Sequence, residues 1–400
     1  MGKISYETHF KSKRTDGRHT TSYAAYLERM RNTPQSLKLP EKVTYDEFVA
    51  WRETVIKKYR ELLGMPEFTP QPDPVKLSEV QRDGYRVEKW EHYPDDYSAV
   101  PFLMLIPDGV TAASPAPAVI CVPGAATSKE FISGEPLIYL PNCKRERKPD
   151  QNLMAKYYVQ QGYVAIAVDN TAMCEVGLPV SDEAHNDFNF NSMHRLIGGY
   201  INDGTCYEGM QTFYLMNLIK KLPVFDFIDQ DNLAMSAHSL GTVPILSAAL
   251  FCEEIKAVVF NDYLGSEKNC FMCPTEFNEE DLENCRERYL HTVPGMYKFF
   301  GTPELCAALA PRYLTLNEGG ADEYFDTVRR GYQAANAEDN LQLLHYPKFQ
   351  DPDNRNYHGK IPQYGISQEE YLQNWCYCDV PEHAFKKEPS IALLKKAFNK

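Results

Sequence analysis

Between residues 117 and 346 the apolar positions fall into short unbroken runs, most of them followed by a stretch with helical spacing. Pro117–Pro123 (PAVICVP) leads to a helical stretch near Gln151–Gln161, and Tyr163–Asp169 (YVAIAVD) to one near Tyr207–Lys221. Asn232–Ala237 leads to Leu240–Phe251, Ile255–Asn261 follows, and Arg312–Asn317 precedes a helix near Phe325–Ala337. Leu341–Tyr346 is the last apolar run and Ser390–Phe398 the last helical one. Continuous Val/Ile/Ala/Leu strands alternating with helices describe a parallel sheet buried on both faces. Ahead of this series Tyr85–His92 alternates apolar and polar residues, and Ala99–Ile106 reads as its hairpin partner. The pattern therefore predicts the α/β class, with a mostly parallel central sheet, an antiparallel N-terminal edge and helices on both faces.

The first 75 residues have a different texture. Thr44-Tyr-Asp-Glu47 has the form of a capping box, and apolar residues recur at Phe48, Trp51, Val55, Tyr59, Leu62 and Leu63. That spacing predicts an amphipathic helix ending near Gly64. The proline-punctuated run Phe68–Pro74 (FTPQPDP) reads as a connector. Residues 1–75 are accordingly read as a helical N-terminal extension and 76–400 as the main domain. Four irregular stretches, Cys143–Asp150, Thr171–Thr205, Gly265–Glu304 and Phe349–Pro381, are too long for simple connections and are expected over the carboxyl ends of the strands.

Composition narrows the function classes. The chain has 400 residues, 43% of them hydrophobic, which suits a well-filled core and argues against disorder. Its net charge of −13 repels phosphate backbones and anionic lipid, so neither nucleic acid nor a membrane surface is an expected partner. The longest apolar runs, such as Ala116–Val122 and Leu246–Cys252, fall far short of the ~20 residues that cross a bilayer. Met1–Tyr6 lacks the apolar stretch of a secretory signal, and position 6 is not the Ser or Thr that myristoylation of Gly2 requires. The protein is read as cytoplasmic, or as a secreted protein without its leader. Eleven scattered cysteines suit free thiols. Cys270-Phe-Met-Cys273 and Cys376-Tyr-Cys378 lack the matching pair or histidines of structural zinc, so no metal site is expected.

The chemistry concentrates at Ala237-His238-Ser239-Leu240-Gly241, set between a strand and a helix. A sharp strand-to-helix turn holds a serine out at the sheet top, and the helix N-terminus presents amides to a developing oxyanion. The segment reads as the nucleophile elbow expected of an α/β-hydrolase, with Ala237 in place of the first glycine; the plain alternative is a serine that caps the helix. His238, adjacent in sequence, is expected to point elsewhere. The loop Val122-Pro-Gly-Ala-Ala-Thr-Ser-Lys129 should supply a second oxyanion amide, that of Ala125, to pair with Leu240. The acid should follow Tyr313–Asn317, where Asp322 is favoured because Gly319 and Gly320 can turn the chain toward the base. Glu318 and, after the preceding strand, Asp262 are the alternatives. Among His345, His358 and His383, the last immediately precedes the C-terminal helix and is the expected base. Asp169, Asn170 and Glu175 are candidate pocket residues.

The chain resembles the acetyl-xylan-esterase-like and dienelactone-hydrolase-like α/β-hydrolases of bacteria. The resemblance lies in Trp51–Pro66, Val122–Glu130, Ala167–Asn170, Met235–Gly241, Arg312–Asp322, Leu344–Phe349 (LHYPKF) and Pro381–Phe385. It implies a Ser239–Asp322–His383 triad and deacetylation, or related ester cleavage, on a carbohydrate. The expected chemistry is an acyl-enzyme cycle with no metal or organic cofactor. Two rival expectations are a peptidase or amidase on the same fold, and an inactive scaffold used for binding.

Overall fold

A computed structural model describes residues 12–20, 22–125, 127–135, 152–177, 190–265, 290–355 and 368–399. Nine strands form one sheet: β1 (Val75–Arg82), β2 (Tyr85–His92), β3 (Val100–Pro107), β4 (Ala116–Val122), β5 (Val164–Val168), β6 (Ile228–His238), β7 (Ile255–Asn261), β8 (Tyr313–Leu316) and β9 (Leu341–Leu343). Their spatial order is β1-β2-β3-β5-β4-β6-β7-β8-β9. The first three are antiparallel to their neighbours, and β4 to β9 pair in parallel. This is the α/β-hydrolase sheet with its antiparallel edge. Every residue of β4 and β5 is buried, which is why these segments read as unbroken apolar runs.

Two cores fill the space between the sheet and its helices. One packs Met104, Ile120, Ile166 and Met235 against the helices Tyr207–Lys221, Thr242–Phe251 and Thr302–Ala308. The other packs Val119, Ala165 and Val259 against Met154–Gln160 and the C-terminal helix Lys387–Ala397.

The N-terminal helix spans Tyr45–Leu63. Its capping box is formed, with the Thr44 N–H donating to Glu47 Oε2 at 2.8 Å, and Gly64 ends it at φ +55°. Its buried face (Phe48, Val55, Tyr59, Leu63) belongs to the first core.

Two expectations need correction, and one strand has no counterpart in the sequence pattern. β1 follows the connector Phe68–Pro74, in residues to which that pattern assigns no element. None of its side chains is buried, so it carries no apolar stripe to read. Helices Phe190–Asn202 and Gln368–Asn374 lie inside stretches read as irregular, and Thr302–Ala308 begins at the end of another, Gly265–Glu304, and runs past it. The last strand ends at Leu343, so His345 lies beyond it. Cys143–Asp150, Cys270, Cys273 and His358 lie outside the described residues. Cys376 and Cys378 are buried and not joined in a disulfide. Among the described residues no helix is long and apolar enough to cross a membrane.

Candidate active site

β6 runs to His238 and the chain then turns through Ser239–Gly241 into the helix Thr242–Phe251. Ser239 sits at φ +52°. For a residue with a Cβ this left-handed conformation costs roughly 1–2 kcal/mol, so the surrounding packing must impose it. The packing is visible at Gly241, where a Cβ would lie 2.6 Å from the Pro123 carbonyl oxygen and 2.7 Å from that of Val122. At Gly124 a Cβ would come within 3.2 Å of Ser239 Cβ. The loop after β4 and the elbow are thus in backbone contact, and glycine at both positions permits it.

His383 lies on the turn that enters the last helix. Its ring centroid is 4.4 Å from that of His238, the residue preceding Ser239. Its Nδ1 bonds Glu318 Oε2. Glu318 follows β8, its side chain fully buried, and both oxygens are filled. Oε1 accepts the Ala384 N–H at 3.0 Å and Asn261 Nδ2 at 2.9 Å, and Oε2 also accepts the Tyr346 hydroxyl at 2.7 Å. Burial would raise the Glu318 carboxyl, but His383 outweighs it and the net displacement is downward. Burial would likewise lower His383, yet Glu318, with a smaller push from Asp262, raises it to about 9. Asp262 is itself raised by burial to about 7, and accepts the Tyr263 N–H at 2.8 Å. Among the described residues, one group of donors could share a metal ion: His238, Glu318 and His383, with ligand atoms within 4.8 Å of one another. The four hydrogen bonds already on Glu318 leave that carboxylate little capacity for an ion.

Behind the elbow, the loop after β4 is held by the two residues that follow β5. Asp169 Oδ1 accepts the Lys129 N–H and its Oδ2 accepts Lys129 Nζ, both at 2.7 Å. Asn170 Nδ2 donates to the carbonyls of Pro123 (2.8 Å) and Gly124 (3.3 Å). Ala125 packs beside Leu240 in one apolar cluster. Lys129 is wholly buried among Asp169, Glu130 and Glu175. Burial opposes its charge, and the three carboxylates overturn that and raise it above the usual lysine range.

A model of the Abhydrolase family matches residues 4–396. The chain belongs to that family. It is an esterase-like α/β-hydrolase. It is similar to a solved Bacteroides fragilis protein described as a candidate acetyl xylan esterase, at 31% identity and a TM-score of 0.83, covering 98% of this chain and 100% of that one. Two more distant structures share the fold. One is a methylesterase (16% identity, TM-score 0.53, 94% of this chain and 79% of that one). The other is a glucuronoyl esterase from Solibacter usitatus (11%, 0.54, 86% and 98%). No curated protein matches by sequence.

In this α/β-hydrolase the acid favoured from sequence, Asp322, is not beside His383. Its side chain is 54% exposed at the start of the helix Asp322–Ala334 and pairs with Arg355 at 3.2 Å and His345 at 3.6 Å. The chain stays paired beyond Leu316, with the Gly319 N–H bonded to the Leu344 carbonyl, and Glu318, at the bend just after β8, meets the histidine. His345 packs on Phe325, and burial lowers it to about 4. Asp169 and Glu175 line a cavity of about 490 Å³ with His92, Tyr97, Tyr200 and Tyr214, but both carboxylates are held by Lys129. Asn170 is fully buried. Sequence reasoning missed Asn261, Tyr346, Gln211 and the buried charge of Lys129. Of these, Tyr346 in LHYPKF and Lys129 in Val122–Glu130 lie in stretches that carry the resemblance.

Proposed function

We propose that the protein is a serine esterase that removes a small, acetyl-type acyl group through an acyl-enzyme, with Ser239, His383 and Glu318 as triad. The observation that carries this reading is a buried carboxylate on Nδ1 of a histidine whose ring lies against the residue before the elbow serine. Glu318 fixes the tautomer and leaves Nε2 to take the Ser239 proton. The Ser239 oxygen attacks the ester carbonyl, and the oxyanion is received by the N–H groups of Leu240 and Ala125. His383 then protonates the departing alcohol, which leaves the acyl group on Ser239. Water, deprotonated by the same imidazole, attacks that acyl group, and His383 returns the proton to the Ser239 oxygen as the acid departs. The cycle requires no metal or organic cofactor. A carbohydrate alcohol is favoured by the full-length similarity to the protein described as a candidate acetyl xylan esterase.

A fluorophosphonate probe and 4-nitrophenyl acetate test the reading together. The wild-type chain should be labelled at Ser239 and should cleave the ester much faster than a peptide anilide. Ser239→Ala should abolish labelling and lower kcat by about 10⁴–10⁶. A loss under about tenfold would mean another nucleophile, and preference for the anilide would mean an amidase.

A further inference from the structure

In the loop that is to supply the Ala125 amide, the carbonyls of Pro123 and Gly124 are both met by one side chain, that of Asn170. Asn170 is fully buried directly after β5. Its two N–H bonds are divided between the carbonyls of Pro123 and Gly124, at 2.8 and 3.3 Å. Its Oδ1 accepts Gln211 Nε2, at 2.5 Å, from the helix Tyr207–Lys221. Each of these bonds fixes the next. An amide turned over would set its oxygen against two carbonyl oxygens, so the donor end must face the loop and the acceptor end must face Gln211.

A trans peptide holds its C=O and the following N–H antiparallel in one plane. The carbonyl of Gly124 and the N–H of Ala125 belong to the same plane. Drawing that carbonyl toward Asn170 therefore turns the Ala125 N–H the opposite way. The same peptide abuts the elbow, since the Cβ direction of Gly124 ends 3.2 Å from Ser239 Cβ. We infer that Asn170, locked from behind by Gln211, is the positioning residue of the oxyanion loop: it sets the direction of the Ala125 N–H without touching substrate. The inference rests on the proposed serine mechanism and adds to it a side chain two strands away from the nucleophile.

The test compares Asn170→Ala with wild type, with kcat expressed per site titrated to completion by a fluorophosphonate. The expected loss in kcat is about 10²-fold, the scale of one misaligned oxyanion donor, with KM for 4-nitrophenyl acetate changed by less than about threefold. Affinity for a trifluoromethyl ketone, which forms an oxyanion on Ser239, should fall by a similar factor. A merely structural residue would lower the titratable fraction and the melting temperature but leave kcat per site intact, and that result would overturn the inference. Asn170→Asp keeps the volume and removes both donors, so it serves if the alanine variant does not fold; the same loss is expected. Gln211→Ala should lower kcat in the same direction but by less. Should Ser239→Ala retain labelling and turnover, the nucleophile assignment fails. Should Ser239→Ala be silent while Asn170→Ala keeps full kcat per site, only the positioning role fails.

Discussion

Two carboxylates four residues apart, Glu318 and Asp322, have opposite environments, and the difference should be measurable as a pH profile. With Glu318 on its Nδ1, His383 is raised to about 9 despite burial, so the resting imidazole is largely protonated at neutral pH. A base must be neutral to act, so kcat/KM should climb as pH rises, on a limb displaced upward from the ordinary value near 6.5. That limb belongs to the coupled cluster of His383, Glu318 and Asp262. In Glu318→Gln the larger upward push on His383 is gone, and Asp262 alone of the two carboxylates opposes burial. The limb should then move to lower pH while kcat drops by about 10²–10⁴. The stability sign is also fixed. Raised His383 stabilises the fold below its ordinary value, and that contribution fades as pH climbs through about 9. Lowered Glu318 stabilises above 4.5, and that is lost on acidification. The melting temperature deficit of Glu318→Gln should thus be largest between these limits and shrink toward pH 9. Asp322→Asn, at an exposed position, should keep kcat within about threefold; if it is instead the crippling change, the acid has been misassigned. The proposed nucleophile and base each carry a mark in their immediate neighbours in the sequence, a strand-to-helix elbow at Ser239 and the entry to the last helix at His383. The carboxylate that meets His383 carries no such mark, because its position depends on the pairing of the chain at Gly319 with Leu344.

At the scale of elements the site depends on how closely β6 and its turn approach the end of β4. Ala237 pairs with Val122 across the two strands, and Gly241 comes back against the Val122 and Pro123 carbonyls. A methyl group at Gly241 would meet backbone oxygens at 2.6 and 2.7 Å, and neither strand can retreat without breaking its ladder. Gly241→Ala should therefore destabilise by about 1–3 kcal/mol, read from the urea midpoint. It should also lower kcat, because the displaced atoms begin the oxyanion loop. A variant with the wild-type midpoint and kcat would show that the approach is looser than this. The same distinction explains which elements were legible. β4, β5 and β7 are buried and announce themselves as apolar runs. β1 has no buried side chain and is a strand only because β2 offers it a partner. The helix Thr302–Ala308 lay hidden because all seven of its residues are buried, which erases the alternation of faces that marks a surface helix.

For the whole molecule the question is whether the first 75 residues are an appendage or part of what holds the site. Tyr59 is buried in the main core, edge-on to Phe300, and its hydroxyl meets both the buried carboxylate of Glu208 and Ser247. At the end of the same helix the Leu63 carbonyl accepts the Thr205 hydroxyl at 3.0 Å and lies where a Cβ of Gly209 would be, 2.1 Å away. The N-terminal helix is thus seated on the first turn of Tyr207–Lys221, which carries Gln211 and through it Asn170. Deleting residues 1–75 would expose the apolar surface that Phe48, Val55, Tyr59 and Leu63 cover, and would remove the Tyr59 hydroxyl from the buried Glu208. Losses of that kind, several large core side chains at about 3–5 kcal/mol each, exceed the total stability of an ordinary domain. Residues 76–400 expressed alone should therefore be insoluble or unfolded by circular dichroism, although they hold every proposed catalytic group. A truncated chain that melts cooperatively near the full-length temperature and cleaves 4-nitrophenyl acetate at the full-length rate would show that the extension is dispensable. If it folds but turns over slowly with unchanged KM, the link from Leu63 through Gln211 to the oxyanion loop is where the loss should be sought.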